Sequence, residues 1–214
     1  MNEIKKACDI LNDGGVVGMP TETVYGLAGS IESAEGIDNI FATKERPFFD
    51  PLIVHVSSID QAKKYAKTWN NICDKLAKNF WPGPITLIVP KNNNVSDKIT
   101  SGLDTVGLRM PDHKIALDLI DQLGHPVAAP SANKFNKTSP TTALHVQKEF
   151  EEVYVIDGGA CAVGIESTVL GIFDDCIKIY RPGMITKEII KECIQDANIT
   201  IEYEESPVAP GHLK

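Results

Sequence analysis

The sequence has little arginine: it contains 18 lysines but only three arginines, Arg46, Arg109 and Arg181. Lysine therefore supplies most of the cationic surface, whereas arginine is the side chain suited to gripping phosphate or carboxylate with a planar, two-pronged group. Each arginine is followed within two residues by proline. Composition alone leaves two interpretations open, three structural ion pairs or three ligand-binding side chains.

Basic residues are also outnumbered by acidic ones, and the formal net charge is −8 at pH 7. This balance disfavours a general nucleic-acid-binding surface, which needs clustered lysine and arginine, although weak RNA binding by a local basic patch stays open. No apolar run reaches the 18 residues that a membrane span requires. The N-terminus lacks the apolar segment of a signal peptide. We therefore expect a cytoplasmic protein without a membrane partner.

Several familiar chemical signatures are missing. The sequence has no GxxxxGK[ST] loop and no GxGxxG after a strand, so neither a P-loop nor a Rossmann nucleotide site is supported. It has no GxSxG nucleophile elbow and no HExxH motif. Its five cysteines are scattered and form no CxxC pair, which argues against a disulfide framework and a zinc site. Each cysteine is expected to be a small buried hydrophobic residue.

Apolar periodicity predicts alternating helices and short strands along most of the chain. This order is typical of an α/β protein with one main, mixed sheet. The expected helices cover residues 4–11, 37–44, 72–80, 116–123, 142–150 and 187–196. The expected strands cover residues 16–19, 52–56, 85–89, 105–109, 127–129, 153–156, 168–172, 177–180 and 199–203.

Polar residues follow the first expected strand, in the segment Pro-Thr-Glu-Thr-Val-Tyr-Gly-Leu at 20–27. Hydroxyls and a carboxylate at a strand end can bind a small polar ligand, but they can also form a simple capping turn. Further along, Lys44 and Arg46 alternate, so in an extended segment both would face the same side. Pro47 and Pro51 stiffen that loop. His55 lies on the adjoining strand, where a lone histidine is more often structural.

A third polar segment, Ala-Pro-Ser-Ala-Asn at 129–133, ends a short buried strand and precedes Ser139. Its hydroxyl and amide groups can bond phosphate oxygens, although serine and asparagine are equally common in ordinary turns. A fourth set comprises Gly-Ile-Glu-Ser-Thr-Val at 164–169 and Arg-Pro-Gly at 181–183. Each segment is weak evidence by itself.

Taken together and in this order, the segments resemble the YrdC family, the threonylcarbamoyl-AMP synthases. Lys44-Glu45-Arg46 with Ser131-Ala132-Asn133 is similar to the KxR…SxN signature of that family. The segments 20–27, 105–111, 166–169 and 181–183 also resemble it, and the resemblance covers about residues 4–203. It implies a YrdC-like twisted mixed sheet with flanking helices around a large concave, positively charged cleft. The expected organisation is a catalytic domain at 1–203 and a linker-like tail at 204–214.

The resemblance also implies an activity. Such an enzyme is a nucleotidyltransferase that makes threonylcarbamoyl-AMP and pyrophosphate from L-threonine, bicarbonate and ATP. The product serves the threonylcarbamoyladenosine modification of tRNA, so a tRNA-modifying threonylcarbamoyl transferase is the expected downstream partner. Mg²⁺ is expected as a cofactor that accompanies ATP, without a metal site built from protein side chains.

Residue roles follow from the matching motif positions. The resemblance implies that Lys44, Arg46, Ser131 and Asn133 are catalytic. The residues expected around ATP are Lys44, Arg46, Asp50, Thr105, Ser131, Asn133, Ser139 and Arg181. The residues expected around L-threonine are Thr23, His55, Arg109, Ala129 and Ser167. Asp50 departs from the family, which usually has asparagine there, and a carboxylate near triphosphate repels it unless it pairs with a cation or binds Mg²⁺.

Two alternative functions and one expectation about the C-terminal residues stay open. The first alternative function is an RNA-binding or ribosome-associated module that uses the same cleft. The second is carbamoyl transfer as in hydrogenase maturation, where a related domain occurs. Residues 206–214 also resemble the beginning of a linker found in long-form members, which suggests a long-form enzyme that stops within its linker.

Overall fold

The computed structural model describes residues 3–134, 137–196 and 198–204. These residues form one ten-stranded sheet flanked by helices. The helices are α1 (Glu3–Asn12), α2 (Ala34–Lys44), α3 (Ile59–Lys63), α4 (Asn71–Phe80), α5 (Asp97–Thr100), α6 (Lys114–Leu123), α7 (Ala143–Glu149) and α8 (Lys187–Ile194). The strands are β1 (Val16–Met19), β2 (Gly26–Ser30), β3 (Ile53–His55), β4 (Ile85–Pro90), β5 (Thr105–Arg109), β6 (Val127–Ala128), β7 (Tyr154–Val155), β8 (Thr168–Ile172), β9 (Cys176–Arg181) and β10 (Thr200–Tyr203).

The strands lie in the order β10-β9-β8-β4-β5-β3-β6-β2-β1-β7. β3 pairs with β5 in parallel and with β6 antiparallel, so the centre of the sheet is mixed. β4 likewise pairs in parallel with β8 and antiparallel with β5. The predicted α/β class with one mixed sheet is confirmed.

Apolar faces of the helices cover the sheet. The largest cluster joins Val54, Leu87 and Leu108 of the central strands to α2, α4 and α8. A second cluster lies between α1, α6 and β1, where Leu11 and Leu119 are fully buried. Burial of this kind stabilises the fold by about 25 cal/mol for each Å² of apolar surface removed from water. The strands that carry the polar loops therefore pack against an apolar core.

The end of α2 decides how the KxR segment leaves the helix. Ser33 caps the N-terminus by accepting a hydrogen bond from the Gly36 N–H, and the helix runs to Lys44. Glu45 then adopts a left-handed conformation with φ of 53°, which ends the helix. Lys44 therefore ends the helix and Arg46 follows the turn, so the condition of one extended segment for both residues is not met.

Most expected elements are confirmed, with boundaries that differ by a few residues. The structure adds β2, α3 and α5, which the periodicity did not predict. All five cysteines are free; Cys8 and Cys73 are buried as expected, whereas Cys161, Cys176 and Cys193 are only half-buried.

Within the described ranges, no helix has both the length and the apolar character needed to cross a membrane. Of the expected tail at 204–214, only Glu204 belongs to the described residues, so the linker interpretation lies outside them.

Candidate active site

A cleft of about 540 Å³, counted with its opening to solvent, crosses one face of the central strands. Ile53 and His55, two residues apart on β3, both line it, as expected for positions that share one face of a strand. The remaining lining residues come from the ends of other strands and from the loops beside them, and Arg46 comes from the loop after α2. They are Thr21, Thr23, Val24, Gly26, Arg46, Pro51, Arg109, Ala129, Pro130, Ser131, Glu166, Ser167 and Arg181.

Arg109 ends β5 and is held by the polar segment that follows β1. Its Nη2 donates to Thr23 Oγ1 at 2.8 Å and lies 2.8 Å from Glu22 Oε2. Thr23 Oγ1 also lies 3.0 Å from the hydroxyl of Thr21. Arg109 Nε is buried and finds no hydrogen-bond partner among the described residues. That N–H is therefore left without an acceptor among the described residues.

Glu22 is buried behind this arginine. Its side chain is 7% exposed, and neither carboxylate oxygen accepts an aligned hydrogen bond from the described part of the chain. The contact with Arg109 is thus an ion pair without the directional bond of a fork-to-fork pair. Val163 N donates to the Glu22 carbonyl at 2.8 Å, which fixes the loop. Glu22 neutralises Arg109 from the side away from the cleft lining.

His55 lies beside Arg109 in the register of β3 and β5. Burial, with the charge of Arg109, lowers the pKa of His55 to about 3, so the imidazole is neutral at physiological pH. Its Nδ1 lies 3.3 Å from the Ile53 carbonyl oxygen, which can only accept. Nδ1 therefore carries the hydrogen, and Nε2 offers a lone pair to a hydroxyl or amine in the cleft.

Arg46 and Asp50 form the second pair. Arg46 Nη2 lies 2.7 Å from Asp50 Oδ2, and the two side chains are 8% and 2% exposed. The same guanidinium donates from Nε to the Asp50 carbonyl at 3.1 Å and from Nη2 to the Pro51 carbonyl at 3.0 Å. The loop is thus folded around Arg46. A carboxylate at position 50 repels a triphosphate unless it is paired with a cation, and Asp50 is paired with Arg46.

Arg181 and Glu166 form the third pair, between the end of β9 and the turn before β8. Arg181 Nη1 bonds Glu166 Oε2, while Nε and Nη2 donate to the carbonyl and hydroxyl of Ser167, each at 3.0 Å. Ser139 donates to Glu166 Oε1 at 3.0 Å. Burial raises the pKa of Glu166, but Arg181 and the Ser139 hydroxyl outweigh it and lower that pKa below its usual value. Glu166 is therefore ionised at neutral pH.

Lys44 connects the two halves of the KxR…SxN signature directly. Its ammonium donates to the carbonyl oxygens of Ser131 and Asn133, and the residue is 1% exposed. Burial, with the charge of Arg46, lowers the pKa of Lys44 to about 7. The side chain thus lies beneath the Ser131–Asn133 loop rather than along the lining of the cleft. Its expected contact with ATP stays a prediction.

Three more expected residues lie at the margins of the cleft. Asn133 donates from Nδ2 to the carbonyls of Lys134 and Lys137, each at 2.8 Å, and lines a neighbouring pocket together with Ser139. Thr105 begins β5 and lines a small cavity beside Pro51, which also borders the cleft. The structure therefore brings Thr23, Arg46, His55, Arg109, Ala129, Ser131, Ser167 and Arg181 into one cleft, with Lys44, Asp50, Thr105, Asn133 and Ser139 around it.

The charge of the cleft differs from the expectation of a strongly positive surface. Each arginine is already paired with a carboxylate, Arg46 with Asp50, Arg109 with Glu22 and Arg181 with Glu166. Within the described residues, these three pairs and Lys44 leave one positive charge in excess while Lys44 is protonated. The cleft presents fixed, oriented dipoles of ion pairs more than net charge.

Two functional residues were not assigned from the sequence, Glu22 and Glu166. Both stand directly before an assigned hydroxyl residue, in Glu-Thr at 22–23 and Glu-Ser at 166–167. A lone carboxylate in a stretch of hydroxyl and apolar residues at a strand end was the available signal. It could not reveal the arginine that each carboxylate meets, because those partners lie far away in the chain.

Comparison with known proteins identifies the same family that the sequence motifs resemble. A family model for the Sua5, YciO and YrdC proteins, described as "Telomere recombination", matches residues 9–183. Threonylcarbamoyl-AMP synthase of Bacillus subtilis is 41% identical over 215 residues, which cover 98% of this chain and 62% of the relative. The corresponding protein of Pyrococcus abyssi is 43% identical over 199 residues, covering 92% of this chain and 58% of the relative.

A solved structure is similar over the whole described fold. P. abyssi Sua5 complexed with L-threonine has a TM-score of 0.92 and 40% identity, covering 100% of this chain and 65% of that chain. The chain spans less than two thirds of the length of each of these relatives. Because the family model matches most of the sequence, the chain belongs to the Sua5/YciO/YrdC family.

Proposed function

We propose that this chain makes threonylcarbamoyl-AMP and pyrophosphate from L-threonine, bicarbonate and ATP. The observation that supports it most is that all three arginines line one cleft. We assign Arg109, with Thr23 and His55, to one half of that cleft, and Arg46 and Arg181 to the other. The reaction brings an amino acid and a nucleotide together, and two anion-binding arginine groups in one cleft suit that pairing.

In this proposal the Arg109 half takes the amino acid. The guanidinium of Arg109 donates to the carboxylate of L-threonine, and the neutral imidazole of His55 accepts a hydrogen bond from its hydroxyl. The L-threonine complex of P. abyssi Sua5, whose fold is similar, supports this choice of amino acid. Ala129 and Ser167, which also line the cleft, are assigned to the amino acid as well.

The other half takes ATP. Arg46 and Arg181 lie where they can contact phosphate oxygens, and Ser131 contributes a hydroxyl from the loop held by Lys44. Threonine and bicarbonate form a carbamate, whose oxygen attacks the α-phosphate and releases pyrophosphate. Two anions must approach each other in this step, so oriented guanidinium groups lower its barrier by offsetting their repulsion.

Mg²⁺ enters the proposal with the nucleotide. The described residues contain no group of three or more histidine, cysteine or acidic side chains that could hold a metal ion. Asp50 and Glu166 are each engaged with an arginine. A cage of protein ligands does not fit these residues, whereas Mg²⁺ commonly binds through substrate phosphates. No step assigned to the side chains depends on the metal.

The proposal extends to the partners of the reaction. The product carries a mixed anhydride between carbamate and phosphate, so a tRNA-modifying threonylcarbamoyl transferase must consume it soon after release. ATP and tRNA meet in the cytoplasm, and we place the reaction there. We propose that any RNA binding by this chain itself is weak, because the molecule carries a net charge of −8.

The test is pyrophosphate release from the purified chain with ATP, bicarbonate and each of several amino acids. We expect release that depends on both bicarbonate and L-threonine. The variant Arg109→Lys keeps the charge but loses the planar group, so we expect KM for threonine to rise roughly tenfold with KM for ATP unchanged. Absence of threonine-dependent release from the unmodified chain refutes the proposed function.

A further inference from the structure

We propose that Glu166 binds the ammonium group of the amino-acid substrate and loses that attraction when the amine becomes a carbamate. This inference rests on the proposed function, because it concerns the amino acid bound in the same cleft. It assigns a substrate contact to Glu166, which has no contact with substrate in the proposed function. Three observations support it: the exposure of Glu166, its ionisation and its place in the lining of the cleft that Arg109 also lines.

Exposure separates Glu166 from the other two carboxylates paired with arginine. Its side chain is 32% exposed, compared with 2% for Asp50 and 7% for Glu22. Among the described residues that line the cleft, Glu166 carries the one carboxylate. Asp50 and Glu22 neutralise their arginines from behind, whereas Glu166 meets whatever enters the cleft.

The bonds of Glu166 leave room for a further donor. Ser139 donates to Oε1 and Arg181 to Oε2, and an ionised carboxylate offers about four acceptor sites. The two donors hold the carboxylate in place and keep it ionised. A substrate ammonium can therefore be added as a third donor without breaking either bond, in the charge-assisted form that is stronger than a neutral hydrogen bond.

Its position matches the shape of an amino-acid zwitterion. Arg181 joins Glu166 to Ser167, and Ser167 Oγ lies 2.8 Å from Thr86 Oγ1 on the strand beside β5. Arg109 ends β5, so the cationic group suited to the substrate carboxylate and the anionic group suited to its ammonium both line one cleft. An α-amino acid carries those two charges on adjacent carbons, and opposite charges in the cleft orient it.

The same contact changes sign during the reaction. The ammonium and bicarbonate combine to a carbamate, one water and one proton; the C–N bond forms, a C–O bond of bicarbonate breaks, and the proton passes to solvent. The substrate nitrogen is then neutral and its new carboxylate is negative. Glu166 then repels that group, so the attraction that held the substrate nitrogen is lost when the carbamate forms.

The experiment compares Glu166→Gln with the unmodified chain by kinetics and by calorimetric titration. We expect KM and Kd for L-threonine to rise roughly tenfold or more, because a charge-assisted bond is lost. KM for ATP should stay the same or fall, since a negative charge beside Arg181 is removed. If Glu166 served only to position Arg181, KM for ATP would rise instead, and that result overturns the proposal.

A second ligand isolates the ammonium. The analogue of threonine with a hydroxyl in place of the amine, 2,3-dihydroxybutanoate, should bind the unmodified chain at least tenfold more weakly than threonine. In Glu166→Gln that preference should shrink toward equality, and a preference that survives unchanged contradicts the proposal. Glu166→Asp, which keeps the charge, should recover part of the preference.

Controls separate this inference from folding and from the proposed function. Glu152→Gln removes the same charge from an exposed side chain outside the cleft lining and should leave both affinities unchanged. Thermal melting confirms that each variant is folded. If the unmodified chain binds threonine but releases no pyrophosphate, the proposed function fails while the titrations still decide the role of Glu166.

Discussion

Lys44 illustrates how a buried cation can act through the backbone. Its two bonds go to carbonyl oxygens of the Ser131–Asn133 loop, and both acceptors are neutral. The charges of Glu166, Asp50 and Glu149 favour the protonated amine, but burial and Arg46 oppose it more strongly. A neutral amine has two N–H groups and needs two acceptors, which the loop supplies. Lys44 can therefore lose its proton near neutral pH without losing either bond.

This arrangement makes the stability of the fold depend on pH. The pKa of Lys44 is about 7 in the folded chain and about 10.4 in an unfolded one. Between these values the unfolded chain binds the extra proton, so raising the pH favours the folded state. Relative to Lys44→Met, the free energy of unfolding of the unmodified chain should rise by about 2 kcal/mol from pH 7 to pH 9.

Urea unfolding of both proteins at several pH values measures this difference. The variant also leaves two carbonyls without their donor, so it should be less stable at every pH. The change with pH in the difference between the two free energies of unfolding measures the proton bound by Lys44; the size of that difference at one pH does not. Equal pH dependence in the two proteins would show that Lys44 titrates normally.

Among the elements, the turns before β8 and after β9 form a close backbone contact. A Cβ added at Gly183 would lie 2.6 Å from Thr168 N and 2.8 Å from the Glu166 carbonyl oxygen. Both neighbours are backbone atoms and cannot move independently of the turn. The absence of a side chain at Gly183 therefore allows Glu166 and Arg181 to meet.

We expect Gly183→Ala to lower the free energy of unfolding by about 1–3 kcal/mol and to reduce pyrophosphate release. Gly171→Ala is the matched control on β8. Its added Cβ would lie 2.4 Å from the ring of Tyr180, a side chain that can shift. It should cost less stability and leave threonine affinity intact. A Gly183→Ala protein with unchanged activity would contradict the proposed importance of this contact.

The elements show how far the sequence alone could predict the fold. Amphipathic helices such as α4 and α6 have clear apolar spacing and were predicted, whereas α3 and α5, with 5 and 4 residues, are too short for a period to appear. β2 was missed because Gly-Leu-Ala-Gly-Ser has no alternation; all five residues are buried, and two are glycine. Periodicity reveals an element only when one of its faces is apolar and the other polar, and a fully buried strand has no polar face.

The candidate site was predictable in its parts but not in its contacts. Motif resemblance identified Arg109 and Thr23, and the structure brings both into the cleft. The pairing of Arg109 with Glu22 joins positions 87 residues apart and depends on the strand order. Lys44 was expected at the end of a helix and lies there, but the left-handed turn at Glu45 has no signal in a sequence that lacks glycine at that position. Local pattern carries no information on such distant partners.

At the scale of the whole molecule, charge opposes RNA binding. The net charge is −8, and each arginine that lines the cleft is paired with a carboxylate. We expect Kd for tRNA weaker than about 10⁻⁵ M at physiological salt, measured by fluorescence anisotropy. Tight binding that falls steeply as salt is raised, without threonine-dependent pyrophosphate release, would favour the RNA-binding alternative.

The cleft is assembled from segments that extend from residue 21 to residue 181, and these segments rest on one continuous sheet. No single supersecondary unit contains a complete binding surface, so the cleft exists only when the sheet as a whole is formed. Occupancy of the cleft is therefore linked to unfolding of the entire sheet. A ligand present at a hundred times its Kd should add about 2.7 kcal/mol to global stability, and the melting temperature becomes a direct reporter of affinity.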